Sequence, residues 1–166
     1  MYPTNYYIAL GTNVGNYINN FSHAIVELKK IGQVIKMANI YKSKPYGYLK
    51  QNFFYNSMVH LKSELLPTEL MNKIQLIEKK LKKNKRIING PRKIDLDIIF
   101  WDYKIFNSFE LSIPHPRASE RDFVLLPLQD ITPNFRDPVS KFTVKELIKG
   151  LKNYYIIEKL SYRNLL

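Results

Sequence analysis

The spacing of apolar positions changes several times along the chain, and each change marks an element. Asn5 to Gly11 is dense in aromatic and branched residues and ends on glycine, which predicts a strand. Ile18, Phe21, Ile25 and Leu28 then recur at helical spacing, with Gly32 as the stop. Gln33 to Lys42 returns to strand character, and Ser43 to Asn52, holding Pro45 and Gly47, reads as a loop. Phe54 to Lys62 alternates as a half-buried strand does. Pro67 suits a first helical turn, where its missing N–H costs nothing. Leu70, Met71, Ile74, Ile77 and Leu81 behind it form one apolar stripe. A basic segment, Lys82 to Arg86, leads to Gly90-Pro91. Ile94 to Trp101 is the next strand, followed by a hairpin through Asp102-Tyr103 into Lys104-Ile105-Phe106. Thr143-Val144-Lys145-Glu146 has the form of a capping box opening a short helix to Gly150. Tyr154 to Leu160 is a final strand.

Strand, helix, strand, strand, helix, strand is the order of an α+β, ferredoxin-like βαββαβ core. Its antiparallel sheet is flanked by helices, here with a C-terminal extension. Nothing resembling a linker or repeat divides residues 1–166, so one domain is expected. Such a fold hosts many functions, and the site must choose among them.

Composition narrows the field. No apolar run approaches the roughly 20 residues that span a bilayer, and the first residues lack the basic and apolar regions of a signal peptide. A cytoplasmic, monomeric protein without membrane contact is expected. The chain has no cysteine, so neither disulfides nor thiolate metal sites arise. Its net charge of +12 invites a nucleic-acid reading. A polyanionic small substrate accounts for the excess equally well, because the lysines are scattered rather than clustered.

The chemistry concentrates in Gly90-Pro91-Arg92-Lys93-Ile94-Asp95-Leu96-Asp97. Strand side chains at i and i+2 share a face, roughly 7 Å apart. Asp95 and Asp97 are therefore neighbours, while Ile94, Leu96, Ile98 and Phe100 form an apolar opposite face. Two carboxylates on such a strand are costly to desolvate without a cation or donor. Hard oxygen ligands at this spacing suit Mg²⁺, which completes its shell from phosphates and water. The rigid Gly-Pro turn aims Arg92 beside them, and a guanidinium is the best fork for phosphate oxygens. Metal-binding acids beside a phosphate-binding arginine suit phosphoryl transfer; a solvated strand end paired with lysines is the competing reading.

The run Asn89 to Ile98 resembles the signature of the 6-hydroxymethyl-7,8-dihydropterin pyrophosphokinase family of folate biosynthesis. Three further blocks are similar to that family in the same order. They are Leu10-Gly11-Thr12-Asn13, then Tyr41 to Gly47 with Phe54-Tyr55-Asn56, then Ile113 to Arg117 with Glu120 to Leu125. The resemblance runs from about Tyr6 to Pro133. It implies that the substrates are ATP and 6-hydroxymethyl-7,8-dihydropterin and that AMP is released. Two Mg²⁺ ions would be held by Asp95 and Asp97, with Arg92 and Lys83 as further catalytic groups. It places the pterin against Ser43, Pro45, Tyr46, Phe54, Asn56, Asp95 and Phe123. ATP would lie against Gln75, Glu78, Lys85, Arg92, Ile98, Ser112, His115 and Arg121.

Residue chemistry agrees with several of these roles. Asn56 offers both a carbonyl and an amide to the donor/acceptor edge of a pterin. Phe123, with Phe54 or Tyr55, would sandwich its flat ring. The proline-containing loop Ser43 to Tyr46 would leave amides unpaired for it. His115 stands between two prolines with few ways to hide its ring. His23 and His60 read as ordinary helix and strand residues. The chain departs from the family at Lys83 and Lys85, where arginines are frequent, at Asn89, where an aromatic can stack, and at Glu110. Rival readings are a ferredoxin-like RNA-binding module, another Mg²⁺-dependent nucleotidyl- or phosphotransferase, and a catalytically inert relative.

Overall fold

The computed structural model describes residues 2–81 and 90–161. Its strands are β1 (Thr4–Thr12), β2 (Gln33–Met37), β3 (Ile40–Ser43), β4 (Phe54–Ser63), β5 (Asp95–Trp101), β6 (Phe106–Asn107), β7 (Ser112–Ile113) and β8 (Ile156–Leu160). Its helices are α1 (Tyr17–Leu28), α2 (Pro67–Lys80), α3 (Asp122–Ile131) and α4 (Val144–Lys149). The main sheet runs β5-β1-β4-β3-β8, with β2 also paired to β4. All its pairings are antiparallel. This is the split βαβ arrangement expected of a ferredoxin-like fold, because β4 lies between β1 and the strands that follow α1.

The two faces of the sheet carry separate cores. Tyr6, Ile8 and Leu10 of β1 point to one face and meet Phe21, Ala24 and Ile25 of α1 with Leu70, Ile74 and Ile77 of α2. Tyr7 and Met58 point to the other, against Val124 and Leu128 of α3 and against Phe135. The helix stripes are thus core, as their period requires. Gly32 permits the return from α1 into β2, since a Cβ there would lie 2.6 Å from the Lys62 carbonyl oxygen. At α4 the capping box forms: the Thr143 N–H donates to Glu146 Oε2 at 2.8 Å, and the Glu146 N–H to Thr143 Oγ1 at 3.3 Å.

Four expectations need correction. The stretch Gln33 to Lys42 is two strands, not one, broken at Ala38-Asn39. Asp130 holds the break, accepting the Asn39 N–H (3.1 Å), the Asn39 side-chain amide (2.9 Å) and the Tyr41 hydroxyl (2.9 Å). Phe100 does not share a face with Ile98. Ile8 pairs Ile98 while Tyr7 pairs Phe100, so Ile99 is the extra residue of a bulge and both Ile99 and Phe100 face the second core. After the turn at Asp102, β6 pairs forward with β7, leaving only the Trp101–Lys104 bridge toward β5. Finally, the elements expected from the sequence include no helix between Phe106 and Thr143, yet helix α3 begins at Asp122 and continues through Pro127. An internal proline and a continuous apolar run concealed its period.

Asp130 also accepts from Lys159 Nζ at 2.9 Å, joining α3, the β2–β3 break and β8. Burial raises its pKa, but the bonds from Lys159, Asn39 and Tyr41 outweigh this and hold it below the usual carboxylate value. A depressed folded pKa adds stability above the unfolded pKa and loses it as pH falls through the folded one. Asp130→Ala is therefore expected to lower stability by roughly 2–3 kcal/mol near pH 7. In urea melts that deficit should shrink below about pH 4; a gap that stays constant down to pH 2 would contradict the assignment.

Candidate active site

A cleft of about 300 Å³ opens on the second face of the sheet, beyond the end of the core that α3 covers. Its floor follows from the register of β1. Ala9 pairs with Met58 on one side and Asp97 on the other; Gly11 pairs with Asn56 and Asp95. Side chains of paired residues point the same way, so Asn56, Asp95 and Asp97 stand around two positions with almost no side chain. The small residues leave the cavity, and the flanking strands line it with polar groups.

Each wall is anchored. Asn56 is buried, and its amide donates to Ser43 Oγ at 2.9 Å and to the Tyr41 carbonyl at 3.4 Å. Arg92 Nη1 lies 3.2 Å from Asp95 Oδ2, and its guanidinium sits 5.3 Å from the centre of the Phe54 ring. The Arg92 backbone is clamped to the turn after β1: its N–H donates to Asn13 Oδ1 (2.8 Å) and its carbonyl accepts the Asn13 N–H (3.1 Å). The Asn13 amide in turn donates to Gln51 Oε1 at 2.9 Å, linking the arginine segment to the loop after β3. His115 is fixed by its N–H to the Ile99 carbonyl at 3.0 Å. Burial, then the charges of Arg121 and Arg117, lower its pKa, which favours the neutral ring. Its Nδ1 accepts the Arg117 N–H at 3.2 Å, which leaves the proton on Nε2.

The cleft brings together Ser43, Tyr46, Phe54, Asn56, Arg92, Asp95, Asp97, His115, Arg121 and Phe123, which the sequence singles out. Arg117 joins them without having been assigned a role. It donates to the Tyr46 hydroxyl at 2.8 Å, which holds that phenol below its usual pKa. Its place in the Pro-His-Pro-Arg block was the available signal. The Nε atoms of Arg92 and Arg121 are buried with no hydrogen-bond partner among the described residues. A buried, unpaired guanidinium N–H is costly, and an anionic ligand would relieve it.

Other candidates fall outside. Tyr55 faces the opposite way and stacks on Tyr17 at 4.0 Å, so Phe54 alone partners Phe123 across the cleft. The loop amides are not all free, since the Lys44 N–H donates to the Tyr155 carbonyl at 2.8 Å. Ile98 is core, 5% exposed, on the far face. Ser112 belongs to β7, and Gln75 is exposed on α2. Glu78 is not on a solvated helix face. It is buried, and Oε1 accepts the Leu96 N–H at 2.8 Å, holding the strand between the two aspartates from beneath. Pro45 is buried beside the cleft. Lys83, Lys85 and Asn89 lie outside the described residues.

An acid pair ringed by arginines on an open sheet is the build of a phosphoryl-transfer enzyme. The chain belongs to the 7,8-dihydro-6-hydroxymethylpterin-pyrophosphokinase (HPPK) family, whose model matches residues 7–133. A 2-amino-4-hydroxy-6-hydroxymethyldihydropteridine pyrophosphokinase of Aquifex aeolicus is 36% identical over 140 residues, 84% of this chain and 88% of that one. The folic acid synthesis protein fol1 of Pneumocystis carinii is 42% identical over 157 residues; these cover 94% of this chain but 21% of the relative, so the chain spans about a fifth of its length. The HPPK-DHPS of Plasmodium falciparum, solved with pteroate, has the same fold with a TM-score of 0.71 at 16% identity, over 89% of this chain and 42% of that one. The RNA-binding reading is not favoured.

Gly11 supplies a direct test of the cleft. A Cβ there would meet Asn56 Oδ1 at 3.6 Å and Asp95 Cβ at 3.9 Å, ordinary contacts that the strand tolerates. Larger groups would project between the two. Gly11→Ala should fold and bind nearly as the parent does. Gly11→Val should fold yet lose ligand affinity by roughly tenfold or more, read by calorimetric titration with a dihydropterin.

Proposed function

We propose that the chain transfers the terminal diphosphate of ATP to the hydroxymethyl oxygen of 6-hydroxymethyl-7,8-dihydropterin. The observation that carries this reading is the cleft itself. Asn56 presents an amide side chain and Phe54 and Phe123 their rings, and the same cleft holds Asp95, Asp97 and the arginines. The first group suits a flat heterocycle with a donor/acceptor edge, the second a polyphosphate.

In the proposed step the substrate hydroxyl oxygen bonds to the β-phosphorus and the bond from that phosphorus to the α,β-bridging oxygen breaks. AMP leaves with the electron pair, and the hydroxyl proton passes to solvent. Asn56 and the aromatic pair orient the pterin. Arg92 and Arg121 hold phosphate oxygens, and His115 donates to another from Nε2. Glu78 keeps Asp95 and Asp97 in place through the Leu96 N–H. Positioning and charge neutralisation account for catalysis of this kind, with no covalent intermediate.

Asp95 and Asp97 suit Mg²⁺. They are hard oxygen donors on one strand face, and among the described residues no cluster of three or more potential ligands surrounds them. Two carboxylates leave most of an octahedral shell to phosphates and water, as Mg²⁺ prefers. When bound, two such ions, held by Asp95 and Asp97, would supply positive charge that offsets the charge of the phosphates. Lys83 and Lys85, in the segment before Gly90, are proposed to add positive charge on the ATP side.

Incubation with the dihydropterin, ATP and Mg²⁺ should yield AMP in step with pterin diphosphate, followed by anion-exchange chromatography. ADP as the nucleotide product would point to an ordinary kinase. Excess EDTA should stop turnover, and readded Mg²⁺ should restore it. Asp97→Ala should lower kcat by roughly 10³-fold, about 4 kcal/mol of transition-state stabilisation, while the melting temperature stays within about 3 °C. Near-parent activity in that variant would sink the metal assignment.

A further inference from the structure

Behind the cleft stands a residue from the C-terminal extension, where the family match has already ended. The Tyr155 N–H donates to Asp122 Oδ2 at 2.6 Å, and the next N–H, of Ile156, donates to the same oxygen at 2.7 Å. The other oxygen of Asp122 accepts the Phe123 N–H at 2.8 Å. Asp122 is fully buried, so these three bonds are what makes its burial tolerable. On its other side the Tyr155 carbonyl accepts the Lys44 N–H at 2.8 Å. The residue is thus tied at N–H and carbonyl to the two segments that form opposite walls of the cleft.

Its ring completes the link. Tyr155 meets the Tyr46 ring edge-on at 5.5 Å and the Phe123 ring edge-on at 5.7 Å, while Tyr46 and Phe123 are 6.3 Å apart. The three rings form a closed triangle in which Tyr155 touches both cleft-lining members. Edge-to-face pairs keep their centroids within roughly 4.5–7 Å, so the third ring limits how far apart the other two stand and how they tilt.

We propose that Tyr155, held by Asp122, is a positioning residue that sets the aromatic wall receiving the planar heterocycle. This rests on the pterin reading above. Neither residue contacts the reacting atoms. Their effect passes through Phe123 and Tyr46 onto the heterocycle first; of the arginines, Arg92 is held separately from Asn13, while Arg121 lies over the Tyr46 and Phe123 rings at 4.9 and 5.6 Å.

The test measures the Kd for the dihydropterin and for ATP separately in the parent, Tyr155→Phe, Tyr155→Ala and Asp122→Asn, with a thermal melt of each. Tyr155→Phe keeps the ring contacts and should match the parent. Tyr155→Ala should raise the pterin Kd roughly tenfold, since two ring pairs are lost, and raise the ATP Kd by a clearly smaller factor, through Arg121 alone. Asp122→Asn should shift pterin affinity in the same direction. A parent that binds no pterin overturns the proposed function and this inference with it. A parent that binds pterin, with Tyr155→Ala binding equally well or losing ATP and pterin affinity alike, overturns this inference alone.

Discussion

Antiparallel pairing of β1 between β4 and β5 is the constraint from which the site follows. In that register Ala9 and Gly11 come to lie between Asn56 on one side and the two aspartates on the other. Side chains in register stand about 5 Å apart, so an amide and an acid pair are brought to the same stretch of floor by strand pairing alone. A one-residue slip would turn every one of these groups into the opposite core. Burial of Tyr6, Ile8 and Leu10 on that other face opposes the slip, and so the first core enforces the geometry of the second face.

Buried polar groups secure the strand's surroundings. Glu78 caps the Leu96 N–H beneath the acids, Asn13 clamps the backbone of Arg92, and Asp122 gathers three N–H groups at the start of α3. Each satisfies amides that would otherwise be left unpaired within the fold, and each bears on a segment lining the cleft. Among the described residues the Nε atoms of Arg92 and Arg121 lack a partner, and both arginines line the cleft, where an incoming anion can supply one.

Much of this was legible in the chain. Helical stripes, the Thr143–Glu146 box and the strand carrying Asp95 and Asp97 follow from local spacing and lie where expected, because periodicity records which face is buried. Other features were not legible for identifiable reasons. The bulge at Ile99 breaks the alternation that a strand pattern assumes, so Phe100 reads onto the wrong face. The break at Ala38-Asn39 is held by Asp130, ninety-one residues away. Helix α3 hides behind Pro127. Glu78 looks like a surface carboxylate on α2 until β5 is laid over it.

By itself the sequence determined the composition of the site, that is, which acids, arginines, aromatics and amide are present, and it carries the pattern that places the chain in its family. It also determined that Asp95 and Asp97 share a face, since that depends only on the two-residue period of a strand. Only the tertiary structure decided which residues surround those acids. Whether Phe54 or Tyr55 faces the cleft depends on which way β4 presents its faces. Whether Arg117 and Tyr155 belong depends on contacts across more than thirty residues of chain. Local pattern carries no information about such pairings, because they arise from the packing of elements that the sequence separates.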